Sequence, residues 1–231
     1  MKRFYRNVEV AAGDGGWQVQ LDGRGLKTIG GKPQLVPSHA LAEALAQEWA
    51  EQGEEIDPAC FILRDQADYA IDIVAPDRDA TIATLLGFGE TDTLCYRADP
   101  DEPLYPRQLE EWEPLVERIE ARHAMRFTRI SGIIHRPQPP ETLAQLHAQL
   151  EEFDPFTLAG LHGMASLAAS LCIALLALEE DADAASLWRA ASLEEEWQAD
   201  LWGREEEAEA RRAKRQRDFL SAEEFVRLAR S

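Results

Sequence analysis

The spacing of hydrophobic residues changes along the chain, from every second position to every third or fourth. Trp17, Val19 and Leu21 alternate with polar neighbours, which is the pattern of a half-buried β-strand. Gly13–Gly16 and Asp22-Gly23 supply residues that tolerate the positive φ of tight turns. The first part of the chain is therefore predicted to form a β-meander.

The helical spacing begins after Pro37. Ser38 suits an N-cap, and Leu41, Leu45 and Trp49 then fall on one helical face. Further helices are predicted at 66–75, 77–88, 106–124, 140–152, 155–180, 183–202 and 204–229, with short strands at 93–97 and 126–130.

This order of elements predicts an α+β fold. A small β-rich lobe with one helix occupies residues 1–62, and a larger helical bundle occupies residues 63–231. A length of 231 residues suits one large domain or two modest ones.

The charge of the chain limits its partners. The net charge is −19, and residues 204–231 hold eight of the 24 basic and seven of the 43 acidic residues, so the rest carries −20. Binding to nucleic acid or to anionic lipid needs clustered Lys and Arg, so neither is expected. The excess of acidic residues favours a well-solvated surface or a basic partner.

Three lone cysteines, Cys60, Cys95 and Cys172, form no CxxC pair. Such a set predicts a reducing compartment, no zinc site and no disulfide framework. The apolar run 157–178 contains polar residues and has acidic flanks, so a buried helix is expected rather than a membrane span. Strand-like alternation starts at Phe4, so no signal or transit peptide is expected.

The segment 186–203, SLWRAASLEEEWQADLWG, is the most informative part of the chain. As one helix it places Leu187, Ala190, Ala191, Trp197 and Leu201 in one apolar stripe.

Glu194 then falls inside that stripe, with Gln198 one turn later, while Glu195 and Glu196 turn toward solvent. A carboxylate on a packing face is costly unless it is bonded or recognises a partner. The alternative is a capping box at Ser192, which starts a new helix at residue 193 and puts Glu194 in its first turn.

Aromatic residues surround this position, because Trp188, Trp197 and Trp202 lie close to Glu194 in sequence. Trp is enriched in binding centres, so Glu194, Gln198, Trp197 and Trp202 are predicted as candidate partner-binding residues.

Signals for catalysis are weak. Glu120 and His123 have the ExxH spacing of di-iron bundles, but a second ExxH is missing, so no metal and no cofactor are expected. His162 lies in the apolar run, where a core histidine is the favoured interpretation. A small helical-bundle enzyme that uses Glu194 and His162 stays open as an alternative, as does a permanent subunit of a complex.

A series of motifs covers nearly the full chain in order: RFY, GGWQVQLDGRGLKT, LVPSHALAEALAQEWAEQGEEIDP, AID, ETDTLCYRA, EWEPL, PQPPE, DPFTLAGLHGMASLAASL and LEEEWQADLWGREEEA. Together they resemble the ATP12 family of F1-ATPase assembly chaperones. The chain departs from the family pattern at Thr28-Ile29, over 62–70 and at Asp200.

The resemblance implies a β-containing lobe followed by an orthogonal helical bundle. It implies a chaperone rather than an enzyme, whose client is the alpha subunit of F1 ATP synthase. It also implies roles for the positions of Glu194 and Trp49, of which Trp49 is expected to be a packing residue. The protein is expected to be a monomer in a bacterial cytoplasm, whereas eukaryotic members belong to the mitochondrial matrix.

Overall fold

The computed structural model describes residues 1–132 and 134–231. Strands β1 (Val8–Gly13), β2 (Gly16–Leu21) and β3 (Arg24–Gly25) form an antiparallel sheet in the order β1-β2-β3. The hairpin register pairs Val8 with Leu21 and Gly13 with Gly16, so the turn falls where the sequence predicts it. The β-meander prediction is confirmed.

The rest of the described chain is mainly helical. The helices are α1 (His39–Ala50), α2 (Ile62–Tyr69), α3 (Arg78–Glu90), α4 (Leu104–His123), α5 (Pro140–Glu151), α6 (Pro155–Ala168), α7 (Leu171–Leu176), α8 (Ala184–Ala191), α9 (Leu193–Trp202) and α10 (Glu206–Ala229). Strands β4 (Tyr96–Arg97) and β5 (Ile130–Ser131) pair in parallel. The α+β fold class predicted from the sequence is confirmed.

Helix α1 forms as its sequence predicts. The hydroxyl of Ser38 accepts a hydrogen bond from the N–H of Leu41 at 3.0 Å, which caps the helix. Leu41, Leu45 and Trp49 are buried along one face. Helix α2 begins four residues earlier than predicted, because the carboxylate of Glu48 accepts hydrogen bonds from the first backbone N–H groups of that helix.

Contacts divide the chain into two compact units. The first comprises Met1–Arg78, Asp154–Gly160 and Glu224–Ser231, and the second comprises Asp79–Phe153 and Leu161–Glu223. The first unit is completed by the end of the chain, since the hydroxyl of Ser38 donates to the carbonyl of Leu228. The domain boundary near residue 62 stays a prediction, because contacts alone do not test independent folding.

The second unit has its own apolar core. Its fully buried side chains include Trp112, Ile119, Leu146, Leu161, Leu171 and Phe219. The indole N–H of Trp112 donates to the carbonyl of Ala190 at 2.8 Å, so this large residue is buried without an unpaired donor.

The helix predicted over 155–180 is interrupted, and that prediction is wrong. Ala169 has a φ of 48°, and a new helix starts after it. Asp92 causes the break by accepting hydrogen bonds from the hydroxyl of Ser170 at 2.7 Å and the N–H of Cys172 at 2.9 Å. Over the described residues, no helix has both the length and the apolar character needed to cross a membrane.

Candidate functional site

The segment 186–203 folds as parts of two helices, so the prediction of one continuous helix is wrong. Helix α8 ends at Ala191 and helix α9 starts at Leu193, as the alternative based on Ser192 predicts. The hydroxyl of Ser192 is nevertheless buried without a hydrogen-bond partner among the described residues, and no capping box forms. Glu194 therefore lies in the first turn of α9, where the helix dipole favours a negative charge.

A buried glutamine holds the Glu194 carboxylate in place. The side-chain N–H of Gln108, on α4, donates to Glu194 Oε1 at 2.7 Å. Gln108 is fully buried, and its own Oε1 accepts the N–H of Ala98 at 2.8 Å. In the described part of the chain, Glu194 Oε2 accepts no hydrogen bond. One oxygen of this carboxylate is thus anchored and the other is available.

Glu194 is half-buried, which affects its charge. Burial raises the pKa of the Glu194 carboxyl, and the hydrogen bond from Gln108 offsets only part of that effect. The carboxylate therefore binds a proton more readily than an exposed glutamate does.

Large apolar side chains lie in solvent at the end of α9. Leu201 is 63% exposed and Trp202 is 86% exposed. Leu193 is the only buried residue of this helix, so the predicted apolar stripe is wrong at Leu201. Trp197 is half-buried and Gln198 is exposed. The end of α9 therefore presents apolar area, an amide and an aromatic ring on the surface.

A groove of about 700 Å³ separates the end of α9 from α10, and Gln198 and Trp202 are among its lining residues. Three of the arginines that line it form ion pairs with Glu195 and Glu196, of which Glu195 also lines the groove. Glu196 binds Arg204 at 2.8 Å and Arg212 at 2.9 Å, and Glu195 binds Arg215 at 2.8 Å. Glu195 and Glu196 were expected to face solvent, but both are partly exposed and engaged with arginines.

The candidate residues therefore separate into two groups. Trp202 and Gln198 line the groove, while Glu194 faces Gln108 on α4. We refer to Glu194, Trp197, Gln198, Leu201 and Trp202 together as the α9 surface. The residues that sequence reasoning missed are Gln108 and Leu201. Gln108 carries no recognisable signal, because its partners are 10 and 86 residues away in sequence.

Trp49 lies in the first unit and is 8% exposed. Its ring lies 5.5 Å from that of Tyr5 and 4.4 Å from that of Phe61, measured between centroids. This environment supports the prediction that Trp49 is a packing residue.

The residues considered for catalysis have other partners. Glu120 is bound by Arg126 and Arg129, so it is not free to act as half of an ExxH metal site. Burial lowers the pKa of His162. Across residues 1–132 and 134–231, no group of three or more His, Cys, Asp or Glu is arranged to hold a metal ion.

Known proteins resemble this chain in sequence and in structure. A family model described as ATP12 chaperone protein matches residues 2–120. The mitochondrial protein atp12 of Schizosaccharomyces pombe is 26% identical over 219 residues, which cover 90% of this chain and 75% of that protein.

Two solved structures of Atp12 from Paracoccus denitrificans, one of them a mutant, superpose with TM-scores of 0.94 at 39% identity. The match covers 99% of this chain and 97% or 98% of theirs. Because the family model covers more than half of the sequence and the structural match covers nearly all of it, this chain belongs to the ATP12 family of chaperones.

Proposed function

We propose that this protein binds the unassembled alpha subunit of F1 ATP synthase and prevents its aggregation before the alpha/beta ring forms. Membership of a chaperone family supports this function. The observation that carries it is the α9 surface, where a half-buried carboxylate with one unbonded oxygen lies on the same short helix as exposed Leu201 and Trp202.

Each part of this surface suits protein recognition. The free oxygen of Glu194 can accept a hydrogen bond from a donor on the client, and its anchored oxygen fixes the direction of that bond. Covering Leu201 and Trp202 removes apolar area from water, and burial of one such side chain contributes about 1.5–3 kcal/mol. An aromatic and charged centre of this kind is typical of binding hot spots.

An enzyme based on Glu194 and His162 has less support. Within the described residues, the hydrogen bond of Glu194 goes to Gln108 and not to a histidine, so no acid–base pair is formed. In this proposal the free protein is a monomer in a bacterial cytoplasm. It needs no cofactor, binds no nucleic acid and does not insert into a membrane. A permanent subunit would instead stay bound after the ring has formed.

The central test is the aggregation of isolated F1 alpha subunit in the presence of each variant. Glu194→Lys reverses the charge at the available oxygen, and loss of one partner of a buried charged pair costs about 2–5 kcal/mol. We therefore expect affinity for the client to fall by roughly 30-fold or more. Lysine also leaves the buried side-chain N–H of Gln108 without an acceptor, so a thermal melt should show a modest loss of about 1–3 kcal/mol, and the aggregation assay is run well below the melting temperature of the variant.

Glu206→Lys is the matched control, because Glu206 is exposed, has no ion pair among the described residues and, like Glu194, lies in the first turn of its helix. It introduces the same charge change outside the α9 surface and should leave protection unchanged. If Glu194→Lys protects the client as well as the parent does, the site is wrong. If the parent protein itself does not protect the alpha subunit, the proposed client is wrong.

A further inference from the structure

Among the described residues, strand β1 has a neighbouring strand on one side and none on the other. The sheet order is β1-β2-β3, so the outer side of β1 is an edge. The N–H of Asp22 donates to the carbonyl of Asn7 at 3.0 Å, and the N–H of Leu26 donates to the carbonyl of Val19 at 2.9 Å. Alternate residues of an antiparallel strand bond to opposite sides. The first bond shows that Asn7 bonds toward β2, so Glu9, Ala11 and Gly13 do so as well. The second shows that Val19 bonds toward β3, so its partner Val10 does not bond to β2.

By this alternation the backbone groups of Val8, Val10 and Ala12 point away from β2. Over the described residues, no backbone group of these three is paired outside the sheet. Edge strands are usually protected by Pro, by Lys or by a covering segment. The strand sequence VEVAAG contains neither residue. Six residues at about 3.4 Å each present an open edge of roughly 20 Å.

A groove of about 600 Å³ runs beside this edge. Its apolar lining comes from Val8 and Val10 on β1 and from Ala46 and Ala50 on α1. Val8 and Val10 share one face of the strand, because side chains alternate between faces. A strand added to the edge would place every second side chain over this lining.

The ionisable side chains at this edge are two glutamates and His39, which lies 3.5 Å from Glu43. Glu43, on α1, lines the groove and its side chain is 64% exposed. Glu9 is exposed on the opposite face of β1. Lys and Arg are absent from the residues that line the groove. A segment that fits here is extended, apolar at alternate positions, and basic beside the two glutamates.

We propose that the β1 edge binds an extended segment of the client by strand addition. The backbone groups of Val8, Val10 and Ala12 would bond to that segment, and its alternate apolar side chains would enter the groove. The client is the F1 alpha subunit, so this inference rests on the proposed function. The β1 edge would be a second contact site, in the first unit. It would favour a client that still has a segment free to pair as a strand, as in a subunit that is not yet assembled.

Ala12→Pro tests the inference. Its N–H points outward, so proline removes one donor of the open edge without breaking a bond to β2, and edge strands tolerate proline at such positions. Isolated F1 alpha subunit is the probe. We expect its affinity for Ala12→Pro to fall by about tenfold. In the parent protein, client binding should slow hydrogen exchange at Val8, Val10 and Ala12.

Ala11→Val is the control, because the Ala11 side chain lies on the face of β1 opposite the groove and its backbone bonds to β2; this variant should bind as the parent does. Circular dichroism and a thermal melt establish that Ala12→Pro is folded. If that variant does not fold, hydrogen exchange in the parent protein decides the question. If folded Ala12→Pro binds the alpha subunit as tightly as the parent does, or if the β1 amides stay unprotected in the complex, the inference is wrong. The proposed function still holds in that case, provided that the parent protein prevents aggregation of the client.

Sedimentation of the parent protein alone tests whether a second copy of this chain, rather than the client, covers the β1 edge. Dimerisation that disappears in Ala12→Pro would show that a second copy of this chain covers the edge, and the proposal would then be wrong. A parent protein that stays monomeric until the alpha subunit is added agrees with it.

Discussion

Two glutamates of the second unit have opposite surroundings. Glu120 is 3% exposed and both of its oxygens are bonded: Oε1 by the N–H of Phe127 at 2.7 Å and by Arg129, and Oε2 by Arg126 at 3.0 Å. Among the described residues, Glu194 has a single hydrogen-bond partner, Gln108, and keeps one oxygen free. Both carboxylates lose hydration, but only Glu120 is fully compensated from within the chain.

The pKa values of the two groups differ for the same reason. Burial alone would raise the pKa of Glu120, but hydrogen bonds from Arg129 and from the N–H of Phe127 more than offset it and lower that pKa. At Glu194, burial prevails over one hydrogen bond and raises the pKa. A charge satisfied by the chain supports the fold, whereas a charge left partly unsatisfied, on the same helix as exposed apolar residues, is available to a partner.

The largest effect is expected from Glu120→Ala. It leaves Arg129 and the N–H of Phe127 without their acceptor, and breaking a buried pair costs about 3–5 kcal/mol. We expect the lower end of that range, since the Arg129 side chain is 24% exposed. Denaturant unfolding measures the loss. Glu117→Ala, at an exposed position on the same helix, should change the free energy of unfolding little. Equal losses in the two variants would show that the bonds of Glu120 do not stabilise the fold.

Acid titration is expected to separate binding from folding. The stabilisation from Glu120 is present above the pKa of an unfolded glutamate, about 4.3, and is lost only as pH falls through its lowered folded value. Glu194 has a raised folded pKa, so its charge disappears at a higher pH, and its protonation favours the folded state. Client binding should therefore weaken before the protein loses stability.

Glu194→Gln is the reference for that titration. It keeps an acceptor for Gln108 but has no charge to lose, so its affinity for the client should depend less on pH. The parent and the variant should bind with converging affinities as pH falls from neutral into the range in which the Glu194 carboxyl becomes protonated. Parallel curves over this range would show that the charge of Glu194 does not contribute to binding.

The smallest effect on folding is expected from Trp202→Ala. Because Trp202 is 86% exposed, its loss should change the free energy of unfolding by less than about 0.5 kcal/mol. Affinity for the client should fall by about tenfold or more, as for a hot-spot aromatic. Ile29→Ala, at a position 78% exposed in the first unit, is the control for removal of an exposed apolar side chain. A loss of affinity equal to that of Trp202→Ala would mean that the effect is not local.

The sequence contains enough information for the class of the fold and for most helices. Alternation in β2 and the face formed by Leu41, Leu45 and Trp49 depend on local periodicity, which one sequence reveals. Two helix breaks show the limit of this information: the one at Ser170 was not predicted, and the one at Ser192 was predicted only as an alternative. The first is caused by Asp92, which lies 78 residues from Ser170, and periodicity contains no signal of that contact.

The candidate site was predicted only in part, for a related reason. Glu194 was singled out because it is a charge among apolar positions, but the exposure of Leu201 follows from the end of α9 lacking a packing partner. A helical wheel assigns an apolar residue to a face without showing whether anything covers that face. Exposure of this kind can be read only from the folded chain.

The bond between Ser38 and Leu228 has a consequence for the order of events during synthesis. The two residues are separated by 190 positions. At about 5–20 residues per second, a ribosome needs roughly 10–40 s to make the intervening chain. The Ser38 hydroxyl that caps α1 therefore cannot donate to Leu228 until α10 has been synthesised. Throughout that interval the earliest part of the protein lacks its closing segment, and the open edge of β1 is exposed on a nascent chain that cannot yet complete its first unit.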